Sequence, residues 1–168
     1  MKKATKFIVR ALVWISFLLY ILALYYLLFV AYGREHWGEI SRIEYALKNI
    51  KLIPFETIRA YIRAIKYGYM NSSIPVTNLL GNFVLLLPLG FYLPLFFKSL
   101  KRFLPYIFVI VLIIFGIETT QFLFMRGIFD IDDFMLNMLG AMAGFFVWKM
   151  KIVQWIEKAY RKDNGSTS

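Results

Sequence analysis

Pairs of polar residues interrupt long apolar stretches of this 168-residue sequence, each with the spacing of one helix face. The pairs are Asn78 with Asn82, Glu118 with Gln121, and Asp133 with Asn137. An ionised side chain in a hydrocarbon span costs roughly 2.5–3.5 kcal/mol on insertion scales, so Glu118 above all requires an explanation. Carboxylates and amides in such a setting hold polar ligand groups, and a carboxylate can also act as a general base.

The polar pairs lie in apolar runs long enough to cross a bilayer. Hydrophobic residues make up 60% of the chain, against roughly 45–50% in soluble domains. About 20 apolar residues suffice for one membrane span. We therefore predict an all-α membrane protein with four transmembrane helices, at residues 7–32, 74–97, 104–125 and 134–148. The last run is the shortest, and at about 1.5 Å per residue it reaches only about 22 Å.

Depth in the membrane brings the polar pairs together. Counted from one end of the spans, Asn82 lies about 12 Å deep, Glu118 about 10 Å and Asn137 about 6 Å. Arg126 and Asp130 lie in the short loop at the same end. The sequence thus predicts one polar pocket. Its candidate ligand-binding residues are Asn82, Glu118, Gln121, Arg126, Asp130, Asp133 and Asn137, and Glu118 and Asp133 are the candidate catalytic residues.

Structural roles are the alternative for several of these residues. Asn78, Gly81 and the Gly140-x-x-x-Gly144 motif are of the kind that lets helices pack closely in membranes. An ion pair of Arg126 with Glu118 or Asp133 would likewise be structural.

Metal binding is a further alternative for the acidic residues of this region. Carboxylate oxygens suit a divalent cation, but the spacing matches no diagnostic ligand pattern, so we predict no metal and no cofactor. The residues concerned are Glu118, Asp130, Asp132 and Asp133.

The distribution of charge predicts the orientation. The chain carries a net charge of +10, and Lys and Arg are concentrated at the N-terminus, in residues 98–102 and in residues 149–162. The positive-inside rule places these segments, and both termini, in the cytoplasm and the pocket on the opposite side. Such a charge suggests contact with anionic lipid headgroups rather than nucleic acid. The absence of cysteine excludes disulfides, thiolate metal sites and cysteine nucleophiles.

The segment between the first two spans shows helical periodicity of its own. Apolar residues recur at helical spacing in residues 40–50 and again in residues 55–69, on either side of Pro54. We predict two short amphipathic helices on the outer interface, with packing onto the bundle as the alternative. The whole is expected to form one membrane domain, residues 1–163, followed by a disordered tail, residues 164–168.

Two sets of motifs extend over residues 49–149. The first comprises Asn49-x-x-x-Ile53-Pro54-Phe55-x-Thr57-Ile58, then Asn78-x-x-x-x-Phe83 and Pro88-Leu89-Gly90-Phe91. The second is Glu118-x-x-Gln121 followed by Arg126-x-x-x-Asp130-x-x-Asp133-x-x-x-Asn137-x-x-Gly140-x-x-x-Gly144. Together they resemble the VanZ-like family of small integral membrane proteins.

The resemblance implies a multi-pass protein of the bacterial plasma membrane with a role in the cell envelope. The reference member of the family is associated with resistance to teicoplanin, a lipoglycopeptide that acts on peptidoglycan precursors outside the cell. The partners so implied are membrane lipids and a lipid-linked cell-wall precursor or a lipoglycopeptide.

Three functional hypotheses remain open. In the first, which we favour, the pocket engages such a headgroup, and Arg126 pairs with an anionic group. In the second, the protein is an intramembrane enzyme with Glu118 or Asp133 as general base and Arg126 as electrostatic stabiliser. In the third, Glu118 carries a proton for a small drug exporter. The confinement of the polar residues to one half of the membrane disfavours the exporter.

Overall fold

The computed structural model describes residues 3–31, 44–45, 49–124, 127–150, 153–154 and 157. Four helical segments in this part of the chain are long and apolar enough to cross a membrane. They are Ala4–Ala31, Ser73–Phe96, Phe103–Leu123 and Ile131–Lys149. The predicted all-α class with four spans is confirmed. The last span has 19 residues, so it reaches about 28 Å rather than the 22 Å expected.

The elements follow one another in a simple order. They are α1 (Lys3–Tyr26), a π-helical turn (Leu27–Ala31), β1 (Ile50–Lys51), α2 (Glu56–Tyr67), α3 (Ser73–Leu85), α4 (Leu87–Phe96), a 3₁₀ turn (Lys98–Lys101), α5 (Phe103–Leu123), β2 (Phe129–Asp130) and α6 (Ile131–Lys149). The second span therefore consists of two helices, broken at Leu86. Pro88 is the second residue of the latter helix, and its missing N–H suits the first turn of a helix.

Helix α6 packs along α3 and α4 with the backbones almost in contact. A Cβ atom added to Gly140 would overlap the carbonyl of Phe83, and one added to Gly144 would overlap the carbonyl of Leu87. A Cβ atom would not fit at Gly90 of α4 either, because the backbone of Ala141 lies against it. The role predicted for the Gly140-x-x-x-Gly144 motif in close helix packing is confirmed.

The half of the bundle away from residues 127–131 has a dense apolar core, which we call the closed half. It contains Leu89, Leu93, Leu95, Leu100, Tyr106, Ile110, Ile114, Ala141, Phe145 and Trp148. The Tyr106 and Phe145 rings stack at 4.4 Å, and the Tyr106 hydroxyl donates to the Ala141 carbonyl at 2.6 Å. Helix α1 joins this half through Trp14, whose ring stacks on Phe96 at 4.6 Å.

The segment between the first two spans partly matches the prediction. Helix α2 confirms the second amphipathic helix, and its apolar residues Ile62 and Ile65 are exposed while Ala64 is buried against the bundle. Ile50 does not continue a helix as predicted, because it pairs with Phe129 in a two-stranded sheet. Most of the first predicted amphipathic helix, and the tail at residues 164–168, lie outside the described residues.

Candidate functional site

The site is built on two short strands that join the loop before α2 to the loop before α6. β1 lies parallel to β2, and the pairing sets Lys51 opposite Asp130. The N–H of Phe129 donates to the carbonyl of Asn49 at 2.9 Å, which is one of the hydrogen bonds that join the two strands. Lys51 is thereby held beside the acidic start of α6.

A buried tyrosine ties the same two loops together. Tyr45 is 2% exposed, and its hydroxyl donates to the carbonyl of Gly127 at 2.5 Å. The side-chain amide of Asn49 in turn donates to the carbonyl of Tyr45 at 3.0 Å. Since buried polar groups require hydrogen-bond partners, these contacts fix β1 against the loop that precedes α6.

Two buried aspartates fix the beginnings of α2 and α6. Asp132 accepts hydrogen bonds from the backbone N–H groups of Phe55, at 2.5 Å, and Ile58, at 3.0 Å. Asp130 caps α6 by accepting from the N–H of Asp132 at 2.9 Å, and it also accepts from the Thr57 hydroxyl at 2.6 Å. Carboxylates are favoured here because the first N–H groups of a helix have no partner within it. Phe55 is held in the left-handed region, at φ 65°.

A cavity of about 670 Å³ opens beside these aspartates. It lies where α1 and α5 finish and α3 and α6 begin, which we call the cavity end. Six of the seven predicted ligand-binding residues line it, namely Asn82, Glu118, Gln121, Asp130, Asp133 and Asn137. The seventh, Arg126, lies outside the described residues. The structure thus brings the polar faces of three spans to one cavity, and ligand binding by these residues stays a prediction.

Carboxylates from α5 and α6 share this cavity. Glu118 is only 5% exposed, and its charge interacts with those of Asp133 and Asp130. The Asp133 carboxylate neighbours the Asn82 amide and the Lys51 side chain. Because like charges in apolar surroundings repel strongly, a proton or a cationic group of a ligand would be stabilised between these carboxylates. Within the described residues, no three His, Cys, Asp or Glu side chains are arranged to hold a metal ion.

One lining residue offers a hydrogen-bond acceptor that nothing in the described part of the chain uses. Asn137 is 4% exposed, and its NH₂ group donates to the Asp133 carbonyl at 3.0 Å. Its side-chain oxygen is buried without a partner there. A buried acceptor left unpaired costs roughly 1–3 kcal/mol, so a donor from a ligand would be stabilised at this point.

Gln121 has a positioning role. Its side-chain NH₂ donates to the carbonyl of Leu28 at 3.1 Å. Leu28 belongs to the π-helical turn that ends the first span, and such turns shift carbonyls from the regular helical hydrogen-bond pattern. The contact holds the end of the first span against α5 and so forms one wall of the cavity.

Sequence reasoning missed several residues of the site. Lys51 and Tyr61 line the cavity without having been predicted, and Thr57 was noticed only as part of a motif. The motif Ile53-Pro54-Phe55-x-Thr57 was the one feature of the sequence that could have pointed to Thr57. Asn78, expected to help helices pack, faces the cavity and donates to the carbonyl of Ile74 in its own helix at 3.2 Å.

Comparison with known proteins adds one finding. A family model described as VanZ/LLP1 matches residues 17–154, a range that contains every residue lining the cavity. No curated protein and no solved structure matches the chain.

Proposed function

Since this chain belongs to the VanZ/LLP1 family, we propose that its cavity binds the polar headgroup of a lipid-linked molecule or a lipoglycopeptide at the outer face of the bacterial plasma membrane. The observation that carries the proposal is a cavity of about 670 Å³ with polar side chains from three spans. Its volume lies within the roughly 300–1,000 Å³ of small-molecule sites. A site of this size accommodates one headgroup.

The charge distribution supports the orientation. Lys98, Lys101 and Arg102 lie at the end of the bundle opposite the cavity. The N-terminus also begins at that end, because α1 finishes at the cavity. Positive residues beside the ends of spans favour the cytoplasmic side. The cavity then faces the extracytoplasmic leaflet, where lipid-linked cell-wall precursors are used.

A role in teicoplanin-type resistance is consistent with this position. Lipoglycopeptides act outside the cell on peptidoglycan precursors. A protein that held either the drug or a precursor at this face would reduce the encounter between the two.

Substitution of the acidic side chains tests the proposal. We expect the protein purified in mild detergent to retain an envelope lipid that Glu118→Gln and Asp133→Asn lose, as measured by mass spectrometry of co-purified lipids. Thr120→Val is the matched control, because Thr120 lies on the same helix, donates to the Gly116 carbonyl and does not line the cavity. Equal lipid retention by the wild type and both carboxylate variants would contradict headgroup binding.

An intramembrane enzyme is the second candidate. It is favoured by the presence of Glu118, Asp133 and Lys51 on one cavity, because a carboxylate base beside a cation can deprotonate a nucleophile and stabilise the negative charge that develops. The lipids of a deletion strain discriminate the two candidates. An altered headgroup relative to the wild type would select the enzyme, and unaltered headgroups would select binding alone.

A further inference from the structure

We infer that the ligand is a membrane lipid with a primary ammonium and a phosphate in its headgroup, and that it enters the cavity sideways from the bilayer beside Gly81. This inference rests on the proposed function and makes it more specific. Two independent observations support it. One is an opening in the wall of the cavity, and the other is the excess of hydrogen-bond acceptors over donors in its lining.

Gly81 differs from the glycines at the close helix contacts. A Cβ atom at Gly140 or Gly144 would overlap a neighbouring backbone, whereas no atom of the described chain lies within 4 Å of one at Gly81. Gly81 nevertheless lines the cavity and is exposed. Our expectation that it permits close helix packing is therefore wrong. The missing side chain leaves a gap on the flank of α3.

The gap lies at the depth of lipid acyl chains. Gly81 is eight residues into α3, about 12 Å from its beginning. Val84, one turn deeper, also lines the cavity and is 53% exposed. Leu27 of the π-helical turn, 45% exposed, lines it as well. Since these residues belong to membrane-spanning segments, an apolar, laterally open wall between α1 and α3 suits a hydrocarbon chain.

The polar lining demands hydrogen-bond donors from the ligand. The buried side-chain oxygen of Asn137 has no hydrogen-bond partner among the described residues, and the Glu118 carboxyl lines the same cavity. The Asp133 carboxylate adds further acceptor capacity. A primary ammonium supplies three donors and one positive charge, so it satisfies an acceptor-rich, acidic cavity.

The phosphate is assigned to the side of the cavity that β1 forms. Lys51 is the sole basic side chain that lines it among the described residues, and its ammonium lies 3.5 Å from the Thr57 hydroxyl. Lysine is a common phosphate ligand. A headgroup with its ammonium near Glu118 would then have its phosphate near Lys51. Lys51 is paired with Asp130 and neighbours Asp133, so it would bridge the phosphate and these carboxylates.

Three probes separate the parts of the inference. Delipidated protein in detergent is incubated with phosphatidylethanolamine, with phosphatidylglycerol of identical acyl chains, or with phosphoethanolamine, and the bound species are measured by native mass spectrometry. We expect retention of phosphatidylethanolamine to exceed that of phosphatidylglycerol by about tenfold. Phosphoethanolamine, which lacks acyl chains, should not be retained at the same concentration. Equal retention of the two lipids would overturn the ammonium assignment, and equal retention of phosphoethanolamine would overturn the need for a chain.

Gly81→Leu tests the lateral opening. We expect this variant to lose about tenfold in lipid retention, because leucine fills the gap. Gly116→Leu is the matched control, since Gly116 also has open space at its Cβ position but does not line the cavity. Gly81→Ala, with a single added carbon, provides a milder variant that should fold like the wild type and lose less.

The outcomes distinguish this inference from the proposed function. Retention by Gly81→Leu equal to the wild type would overturn lateral entry, even while Glu118→Gln abolished retention and so supported headgroup binding. Retention of no lipid by the wild type would overturn both the inference and the proposed function.

Discussion

Glycine has opposite roles in the two halves of the bundle. In the closed half, Gly90 and Gly144 bring α4 and α6 into backbone contact beside a buried apolar core. At the cavity end, Gly81 faces open space instead. The comparison shows that a small residue in a membrane helix indicates either a close contact or an opening, and that only its neighbours decide which.

The closed half also explains how the cavity stays open. Side chains at a binding site are held in place when the elements that carry them are packed rigidly elsewhere. Tyr106 and Phe145 stack in the closed half, on the same helices that carry Glu118 and Asn137 at the cavity end. The cavity is thus preorganised by a core that does not line it.

The largest effect on folding is expected from a substitution that disrupts helix packing in the closed half. Gly144→Leu places a side chain against the carbonyl of Leu87, so it should cost more than the roughly 1–3 kcal/mol of ordinary overpacking. We expect loss of monodisperse protein on size-exclusion chromatography. Gly81→Leu, the corresponding change at the cavity end, should elute like the wild type. Normal elution of Gly144→Leu would show that the glycine contact is dispensable.

A local loss of structure is expected when the loops at the cavity end are separated. Asp132→Ala removes the acceptor for the N–H groups of Phe55 and Ile58, at a cost of about 3 kcal/mol. Hydrogen exchange of α2 should accelerate while that of α4 and α5 stays unchanged. Asp132→Asn keeps one acceptor oxygen and should show a smaller acceleration. Unchanged exchange in α2 would contradict the capping role.

The fold was largely predictable from the sequence, because membrane spans follow from local apolar length. The shared depth of Asn82, Glu118 and Asn137 also followed from helix geometry and one common end. Lys51 could not be placed in the same way. Its position depends on the pairing of β1 with β2, a contact between residues far apart in the chain.

The break at Leu86 and the open space at Gly81 could not be predicted from the sequence either. Proline occurs in the first turn of a helix as well as at a helix break, and glycine occurs at close helix contacts as well as at openings. The periodicity of apolar residues does not distinguish between these cases. The ends of α6 illustrate the same limit, since its extra length depends on the cap provided by Asp130.

The smallest effect on folding, with a large effect on binding, is expected at Glu118. Glu118→Gln preserves shape and removes an ionisable group from the cavity, so its free energy of unfolding should stay within about 1 kcal/mol of the wild type or rise. Lipid retention should fall in the same preparation. A destabilised protein would identify Glu118 as a structural residue of the cavity end, and unchanged retention would remove it from the site.

The most direct test of the central claim asks which half faces the outside of the cell. The chain contains no cysteine, so single cysteines can be introduced at Ile128, which lines the cavity and is 38% exposed, and at the exposed Ser99 of the opposite end. The account predicts that an impermeant thiol reagent labels Ile128→Cys in intact cells, and labels Ser99→Cys only after permeabilisation. The reverse pattern would contradict a cavity that binds its ligand from the outer leaflet.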